Sequence, residues 1–283
     1  MKRHRIAVAQ TDAAVGNLDA NIATHLQAIR KAREGGAELI VFPELSLTGY
    51  SLRDLNWTVP LRADAPGTLA PLLRETADCS VILGSVEESD RYGIHNAAFL
   101  LENGTVRTVH RKIYPPTYGM FEELRYFSPG RQIRSCATRI GRIGVLVCED
   151  LWHLSVPYLL ALDGAEAIVC IAASPTRLAG SEERIAVARM NTEQHRALAR
   201  LLSTYIVFCN RVGFEDGVSF WGGSEVISPS GETVGSARLF EEDLLFAELD
   251  GNELRRARRM SRHFLDENAE LTLAELNRIV AGR

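Results

Sequence analysis

Residues 140–153, which read IGRIGVLVCEDLWH, decide how the fold of this chain is interpreted. The apolar run from Ile143 to Val147 is typical of a β-strand that is covered on both faces. It ends at Cys148, and two acids, Glu149 and Asp150, follow directly. Loops just past the carboxyl ends of such strands are where α/β proteins usually place their chemistry. The stretch therefore predicts a buried strand that presents a thiol at the edge of a sheet.

The two acids after Cys148 pose an electrostatic problem. Negative neighbours raise the pKa of a cysteine and suppress its thiolate form. If Cys148 is a nucleophile, other parts of the chain must supply a cation and a base. The alternative is a buried structural cysteine, the more common role of a single Cys after an apolar run.

Short apolar strands alternate with helices early and late in the chain, and hairpins lie between them. Helices are predicted over Leu18–Ile29, Leu69–Asp78 and Ser181–Ser203. The Glu102-Asn-Gly104 segment is a strong turn signal between two strands. This pattern predicts a mixed-sheet α/β layered fold.

No linker, low-complexity tract or internal repeat interrupts the sequence. We therefore expect residues 1–283 to form one domain, with residues 251–283 as a C-terminal extension used in oligomer contacts. The extension is basic from Arg255 to Arg262 and then apolar and helical from Leu271 to Val280.

The composition excludes several classes of function. A formal net charge of −4 does not favour binding to nucleic acid or to an anionic membrane. The apolar run near the start is too short for a signal peptide, and no stretch approaches the roughly 18 apolar residues of a membrane span. The five cysteines form no CxxC pair, which indicates reduced thiols and a cytoplasmic location.

Common catalytic motifs are absent from the sequence. It contains no HExxH, GxSxG, Walker or GxGxxG motif, and its seven histidines lack metal-ligand spacing. His153 is the one alternative near the thiol, as the base of a Cys/His dyad.

Three predicted strands each end at an ionisable residue. These residues are Glu44, Lys112 and Cys148. A glutamate beside the thiol can accept its proton if burial raises the carboxylate pKa. A lysine ammonium can offset the negative charges and stabilise the oxyanion that forms when a thiolate attacks a carbonyl or nitrile carbon. Together the three predict acyl transfer through a thioester.

These motifs carry a family resemblance. In order, Phe42-Pro-Glu44, Arg111-Lys112 and Val147-Cys148-Glu-Asp150 resemble the Glu-Lys-Cys triad of the nitrilase, or carbon-nitrogen hydrolase, superfamily. The likeness extends over most of the chain through Thr48-Gly-Tyr50, Asn96-Ala-Ala, Tyr126-Phe-Ser-Pro-Gly130, Cys209-Asn-Arg-Val-Gly213 and Gly223-Ser224. It implies an α-β-β-α sandwich, dimerisation through helices, and no metal or organic cofactor.

Within the superfamily, the segments from Lys112 to Phe127 and from Cys148 to Trp152 most resemble the glutaminase domains of glutamine-dependent NAD synthetases. That likeness implies that Glu123 is a second active-site glutamate. It also implies an acyl pocket lined by Tyr118, Phe121, Glu149 and Ser174, with Glu149 as a partner for a substrate ammonium. Glu149 has an alternative role in a salt bridge or a helix cap.

One position departs from the family pattern. Gly180 stands where an arginine for a substrate carboxylate is expected, which leaves Arg177 or Arg184 as substitutes. The expected substrate is therefore a small carboxamide, glutamine-like or an ω-amide, hydrolysed to acid and ammonia by a homodimer or higher homo-oligomer. Two alternatives remain open: an N-carbamoyl hydrolase or nitrilase with the same triad, and a glutaminase-like subunit or scaffold that acts mainly by binding a separate partner.

Overall fold

The computed structural model describes residues 1–176 and 181–282, with the backbone alone for residues 181–185. Within these ranges the strands, numbered in chain order, form two six-stranded sheets and one small sheet. The first sheet contains β1 (Arg3–Gln10), β2 (Leu39–Val41), β3 (Ser80–Glu88), β4 (Ile94–Glu102), β5 (Thr105–Arg111) and β15 (Asp243–Asp250), in the order β15-β1-β2-β3-β4-β5. The second contains β6 (Ser135–Thr138), β7 (Gly141–Val147), β8 (Ala167–Ala172), β10 (Tyr205–Asn210), β13 (Glu225–Ile227) and β14 (Thr233–Ser236), in the order β14-β13-β10-β8-β7-β6. The small sheet contains β9 (Pro175–Thr176), β11 (Val212–Glu215) and β12 (Val218–Trp221).

Helices cover the outer faces of the two large sheets. In chain order the helices of the described residues are α1 (Leu18–Glu34), α2 (Ala70–Leu73), α3 (Glu123–Tyr126), α4 (Ser155–Leu162), α5 (Ser181–Leu202), α6 (Gly251–Met260) and α7 (Ala269–Ala281). Residues of α1 and α2 pack on the first sheet, and residues of α4 and α5 pack on the second.

The alternation of side chains along each strand explains why the large sheets are apolar on both faces. In β7, Ile143, Val145 and Val147 join the apolar cluster between the two sheets, whereas Leu146 packs with the outer helices. The layers are therefore helix, sheet, sheet, helix, which confirms the predicted α-β-β-α sandwich.

The helix predicted over Leu69–Asp78 is much shorter in the structure, where α2 ends at Leu73. Tertiary hydrogen bonds replace the rest of the helix. The carbonyl of Thr76 accepts from the backbone N–H of Asn103 and from the guanidinium of Arg139, at 3.0 and 3.1 Å. Backbone groups that satisfy these partners are not available to a helical ladder.

The C-terminal extension has two different parts. Helix α6 is anchored to the core because Leu254 is buried between the sheets. Helix α7 has no buried residue. Among the described residues, no helix is long and apolar enough to cross a membrane.

Candidate active site

Parallel pairing brings the predicted strand ends to one edge of the sandwich. Strands β1, β2 and β3 are parallel, and so are β7, β8 and β10. The loops after β2 and β8 meet there, because the backbone N–H of Ala173 donates to Glu44 Oε2 at 2.7 Å. The loop carrying Glu44 also crosses β3 at Gly84, where an added Cβ would collide with the backbone of Pro43 and Leu45. A glycine is required for this close approach.

The side chain of Lys112 lies between two buried carboxylates. Its Nζ donates to Glu44 Oε1 and to Glu123 Oε1, both at 2.7 Å. The exposed fractions of Lys112, Glu44 and Glu123 are 1%, 1% and 5%. Burial lowers the pKa of Lys112, but the charges of Glu123 and Glu44 outweigh it and raise the pKa well above its ordinary value. Lys112 is therefore a permanent cation in this site.

Two further side chains hold the carboxylates in place. Asn96 Nδ2 donates to Glu44 Oε1 at 2.7 Å, and the hydroxyl of Tyr50 donates to Glu123 Oε1 at 2.7 Å. The sequence motifs that contain Asn96 and Tyr50 support the family resemblance, but neither residue was predicted to act in the site. The available signal was a side-chain amide in β4, a strand that is buried along its whole length.

Cys148 lies at the junction between β7 and a 3₁₀ turn over Cys148–Trp152. Its φ is +47°, in the left-handed region that non-glycine residues seldom adopt. Burial and the charge of Glu44 raise the pKa of the thiol well above its ordinary value, and Lys112 opposes this shift. Glu44, rather than the adjacent Glu149 and Asp150, is the leading negative neighbour. The thiol is therefore protonated at rest, and a nearby base is needed to make it nucleophilic.

The charges of the cluster define what it can do chemically. Glu44 and Glu123 share one ammonium, so two carboxyl groups and one cation lie together in a buried site. Burial and the charge of Glu44 raise the pKa of Glu123, and Lys112 opposes this shift. A proton that passes from Cys148 to a carboxylate leaves the total charge unchanged, so no charge is created in the low-dielectric interior. The arrangement is suited to general-base activation of a thiol next to a fixed cation.

The substitution Glu44→Gln is expected to separate thiol acidity from catalysis. Loss of the negative charge should lower the pKa of Cys148, so iodoacetamide should alkylate Cys148 at least about 3-fold faster at pH 7.5. A general-base role for Glu44 predicts that amide turnover instead falls about 10²- to 10³-fold. Peptide mapping by mass spectrometry separates Cys148 from the other thiols. Amide turnover that stays at the parental rate would contradict a base role for Glu44.

Three of the predicted substrate residues lie together beside the thiol. The hydroxyl of Tyr118 donates to Glu149 Oε2 at 2.8 Å, and the rings of Tyr118 and Phe121 meet edge to face at 5.6 Å. Burial, followed by the hydrogen bond to Glu149, raises the pKa of Tyr118 to about 12. Among the residues described, no Lys or Arg pairs with Glu149; His153 Nε2 lies 3.7 Å away and stacks on the ring of Tyr114. The carboxylate is thus available to a cationic ligand.

The other predicted substrate residues are placed differently. The Oγ of Ser174 accepts from Trp221 Nε1 at 3.1 Å, and the Ser174 backbone N–H donates to Asn210 Oδ1 at 2.8 Å. Arg177 and the side chain of Arg184 lie outside the described residues.

No metal site accompanies this cluster within residues 1–176 and 181–282. There, no group of three or more His, Cys, Asp or Glu side chains is arranged to hold a metal ion.

Comparisons with known proteins agree with the fold. A family model described as carbon-nitrogen hydrolase matches residues 5–259. A glutamine-dependent NAD(+) synthetase from Thermotoga maritima is 32% identical over 98% of this chain, and the chain spans 45% of that relative's length.

Two solved structures extend the comparison. A carbon-nitrogen hydrolase from Helicobacter pylori G27 superposes with a TM-score of 0.87 at 24% identity, covering 97% of this chain and 98% of the other. A mutant amidase from Nesterenkonia sp. AN1, with the acetamide moiety of fluoroacetamide covalently added at its active-site cysteine, has a TM-score of 0.77 at 25% identity and 96% coverage of each chain.

Proposed function

This chain belongs to the carbon-nitrogen hydrolase family, and from that premise we propose that it is an amidase that cleaves a small carboxamide to acid and ammonia through a thioester on Cys148. The observation that carries the proposal is the Lys112 ammonium, held at 2.7 Å from both Glu44 and Glu123 next to the half-buried thiol of Cys148. The amidase from Nesterenkonia sp. supports it, because its active-site cysteine accepts a covalent adduct.

The proposed reaction begins with proton transfer from the Cys148 thiol to Glu44. The thiolate attacks the amide carbon, and Lys112 Nζ with the backbone N–H that follows Cys148 stabilises the oxyanion. The C–N bond then breaks, and Glu44 returns its proton to the departing nitrogen, which leaves as ammonia. Glu123 orients the amide or the incoming water through its fixed hydrogen bonds.

Hydrolysis of the thioester completes the cycle. Water loses a proton to Glu44 and attacks the thioester carbon, the C–S bond breaks, and the carboxylic acid is released. Cys148 takes the proton back from Glu44. At each stage one negative charge lies on Glu44, on the Cys148 thiolate or on the oxyanion, so the total charge of the buried cluster does not change.

An ammonia-release screen tests this proposal. The panel contains glutamine, asparagine, ω-amides and aliphatic amides, together with N-carbamoyl compounds and nitriles for the alternative chemistries. Amide turnover with an acyl mass on Cys148 in intact-protein spectra is the expected result. Carbon dioxide release from carbamoyl compounds alone, or acid from nitriles alone, would replace the amidase assignment with one of the alternatives.

We propose further that the substrate carries a cation near its scissile amide, as glutamine does. The support is the carboxylate of Glu149, which is bound by the Tyr118 hydroxyl and by no Lys or Arg among the described residues. For Glu149→Gln, KM for glutamine should rise about 10- to 100-fold, because a charged hydrogen bond is lost. KM for propionamide should change less than 2-fold. Equal changes for both substrates would rule out this role.

The second candidate is a glutaminase-like subunit that delivers ammonia to a separate synthetase. It is favoured by the curated relatives, which are glutamine-dependent NAD(+) synthetases more than twice as long as the region this chain matches. Activity toward glutamine that appears only after a synthetase partner is added would support this candidate. Efficient turnover by the isolated chain would favour the first.

We also propose that the C-terminal extension mediates self-association, through an apolar stripe on α7 formed by Leu273, Leu276, Ile279 and Val280. These side chains recur at helical spacing and are 42–68% exposed. The double substitution Leu276→Asp with Ile279→Asp should lower the molar mass measured by light scattering. Leu271→Asp, an equally exposed leucine outside the stripe, is the control and should leave the mass unchanged. An unchanged mass in the double variant would contradict the proposal.

A further inference from the structure

The carboxylate of Asp150 is fully buried and accepts four hydrogen bonds. Oδ1 accepts from the backbone N–H groups of Ile113 and Tyr114, at 2.9 and 3.0 Å. Oδ2 accepts from the backbone N–H of Val147 at 3.2 Å and from His110 Nε2 at 2.8 Å. Because a carboxylate only accepts, His110 must carry its proton on Nε2. Asp150 itself is not exposed to solvent.

These four donors belong to residues that lie next to Lys112 or Cys148, or two positions away, in the sequence. His110 precedes Lys112 by two residues, and Ile113 and Tyr114 follow it directly. Val147 is the residue before Cys148. One side chain therefore contacts the backbone on both sides of the site without entering the charged cluster of Lys112 and the two glutamates.

These hydrogen bonds connect two segments that belong to different sheets. Lys112 follows β5 of the first sheet, whereas Cys148 follows β7 of the second. The two sheets are joined mainly by apolar side chains, and apolar packing has no preferred direction. Hydrogen bonds do have one, and small displacements of reacting groups are costly in rate.

The backbone of Cys148 adds a second observation. Its φ of +47° is unfavourable for a residue with a Cβ and persists only when the surroundings hold it. The bond from Val147 to Asp150 closes the turn around Cys148, so the same carboxylate that holds the lysine segment also holds the strained thiol residue.

We propose that Asp150 and His110 are a positioning pair that sets the distance between Lys112 and Cys148. This inference rests on the proposed amidase function. Asp150 does not touch the substrate; it acts through the backbone of residues 113, 114 and 147. His110 orients the carboxylate by a hydrogen bond from Nε2.

Three variants test the pair by turnover. Asp150→Asn keeps the shape but cannot accept all four bonds, and kcat should fall about 100-fold with KM within 3-fold of the parent. His110→Leu removes one donor, and kcat should fall at least about 10-fold. His110→Gln returns an N–H at a similar distance from the backbone and should keep kcat within 3-fold. If Asp150→Asn does not fold, the comparison of the two His110 variants decides.

A second buried histidine–carboxylate pair provides the control. His195 Nδ1 bonds Glu225 Oε1 at 2.7 Å, and the two residues are buried on α5 and β13. His195→Leu should lower the melting temperature about as much as His110→Leu but leave kcat within 2-fold. Equal losses of kcat in His110→Leu and His195→Leu would mean that the loss comes from lower stability and not from the position of Lys112. That result would overturn the proposal.

Alkylation of Cys148 by iodoacetamide gives a readout that needs no amide substrate. Both His110 variants keep the charge of Asp150, so their alkylation rates report the distance from Lys112 to the thiolate. At pH 7.5 the rate should fall about 10-fold in His110→Leu and stay near the parent in His110→Gln. If the parent hydrolyses no amide, the proposed function fails while this comparison still decides on the pair. Equal rates in the parent and both variants would overturn the positioning role.

Discussion

The variant Cys148→Ala is expected to release no ammonia above background, a loss of at least about 10³-fold in kcat with the best amide of the panel. The reason is that no other group in the site can form the acyl intermediate, and removing a nucleophile leaves only binding and oxyanion stabilisation. The acyl mass seen on the parent protein should disappear in the same variant. Ammonia release at the parental rate would show that Cys148 is not the nucleophile.

A matched thiol control is available in Cys136, which is partly exposed on β6 and bonds only a neighbouring backbone carbonyl among the described residues. Cys136→Ala should keep kcat within 2-fold of the parent and should still acquire the acyl mass. Loss of activity in both alanine variants would indicate a general effect on the fold rather than loss of the nucleophile.

The second large effect is expected for Lys112→Met, in both stability and activity. Removing the ammonium leaves Glu44 and Glu123 buried together without a counter-ion, which should lower the free energy of unfolding by about 3–5 kcal/mol. Amide turnover should fall at least about 10³-fold, because the oxyanion also loses its cation. Urea unfolding curves and ammonia release measure the two effects.

The pH dependence of this variant has a defined sign. Burial raises the folded pKa of Glu123, so its contribution to stability is present at low pH and is lost as pH rises through that pKa. Lys112 opposes the rise in the pKa of Glu123. Its removal should therefore make the loss of stability above pH 4.5 larger in Lys112→Met than in the parent. Adding Glu123→Gln to Lys112→Met should recover stability and flatten the curve. A double variant less stable than Lys112→Met would contradict this account.

Much of the architecture could be predicted from local patterns. The buried strand before Cys148, the hairpin closed at Asn103-Gly104 and the long helix beginning at Ser181 follow from short-range periodicity and turn chemistry. The helix predicted after Leu69 was too long, because Arg139, distant in sequence, takes the backbone carbonyl of Thr76. Local patterns contain no information about such distant partners.

In the candidate site, too, some residues could be predicted from the sequence and others could not. The sequence indicates Glu44, Lys112 and Cys148, because each ends a strand and the chemistry of a thiol with adjacent acids demands a base and a cation. The sequence could not indicate that Asn96 and Tyr50 hold the two carboxylates. Those contacts depend on which strands are neighbours and on how the loops cross the edge of the sheet.

The sequence by itself determined the layered α/β fold, the order of the motifs and the presence of a thiol at a strand end, because these depend on interactions between residues close in the chain. Only the tertiary structure decided the contacts of the two acids after Cys148. Asp150 turns inward to bind the backbone beside Lys112, and Glu149 turns toward Tyr118. The physical reason is that their partners come from the segment after β5, in the other sheet, and the packing of the two sheets brings that segment to the thiol.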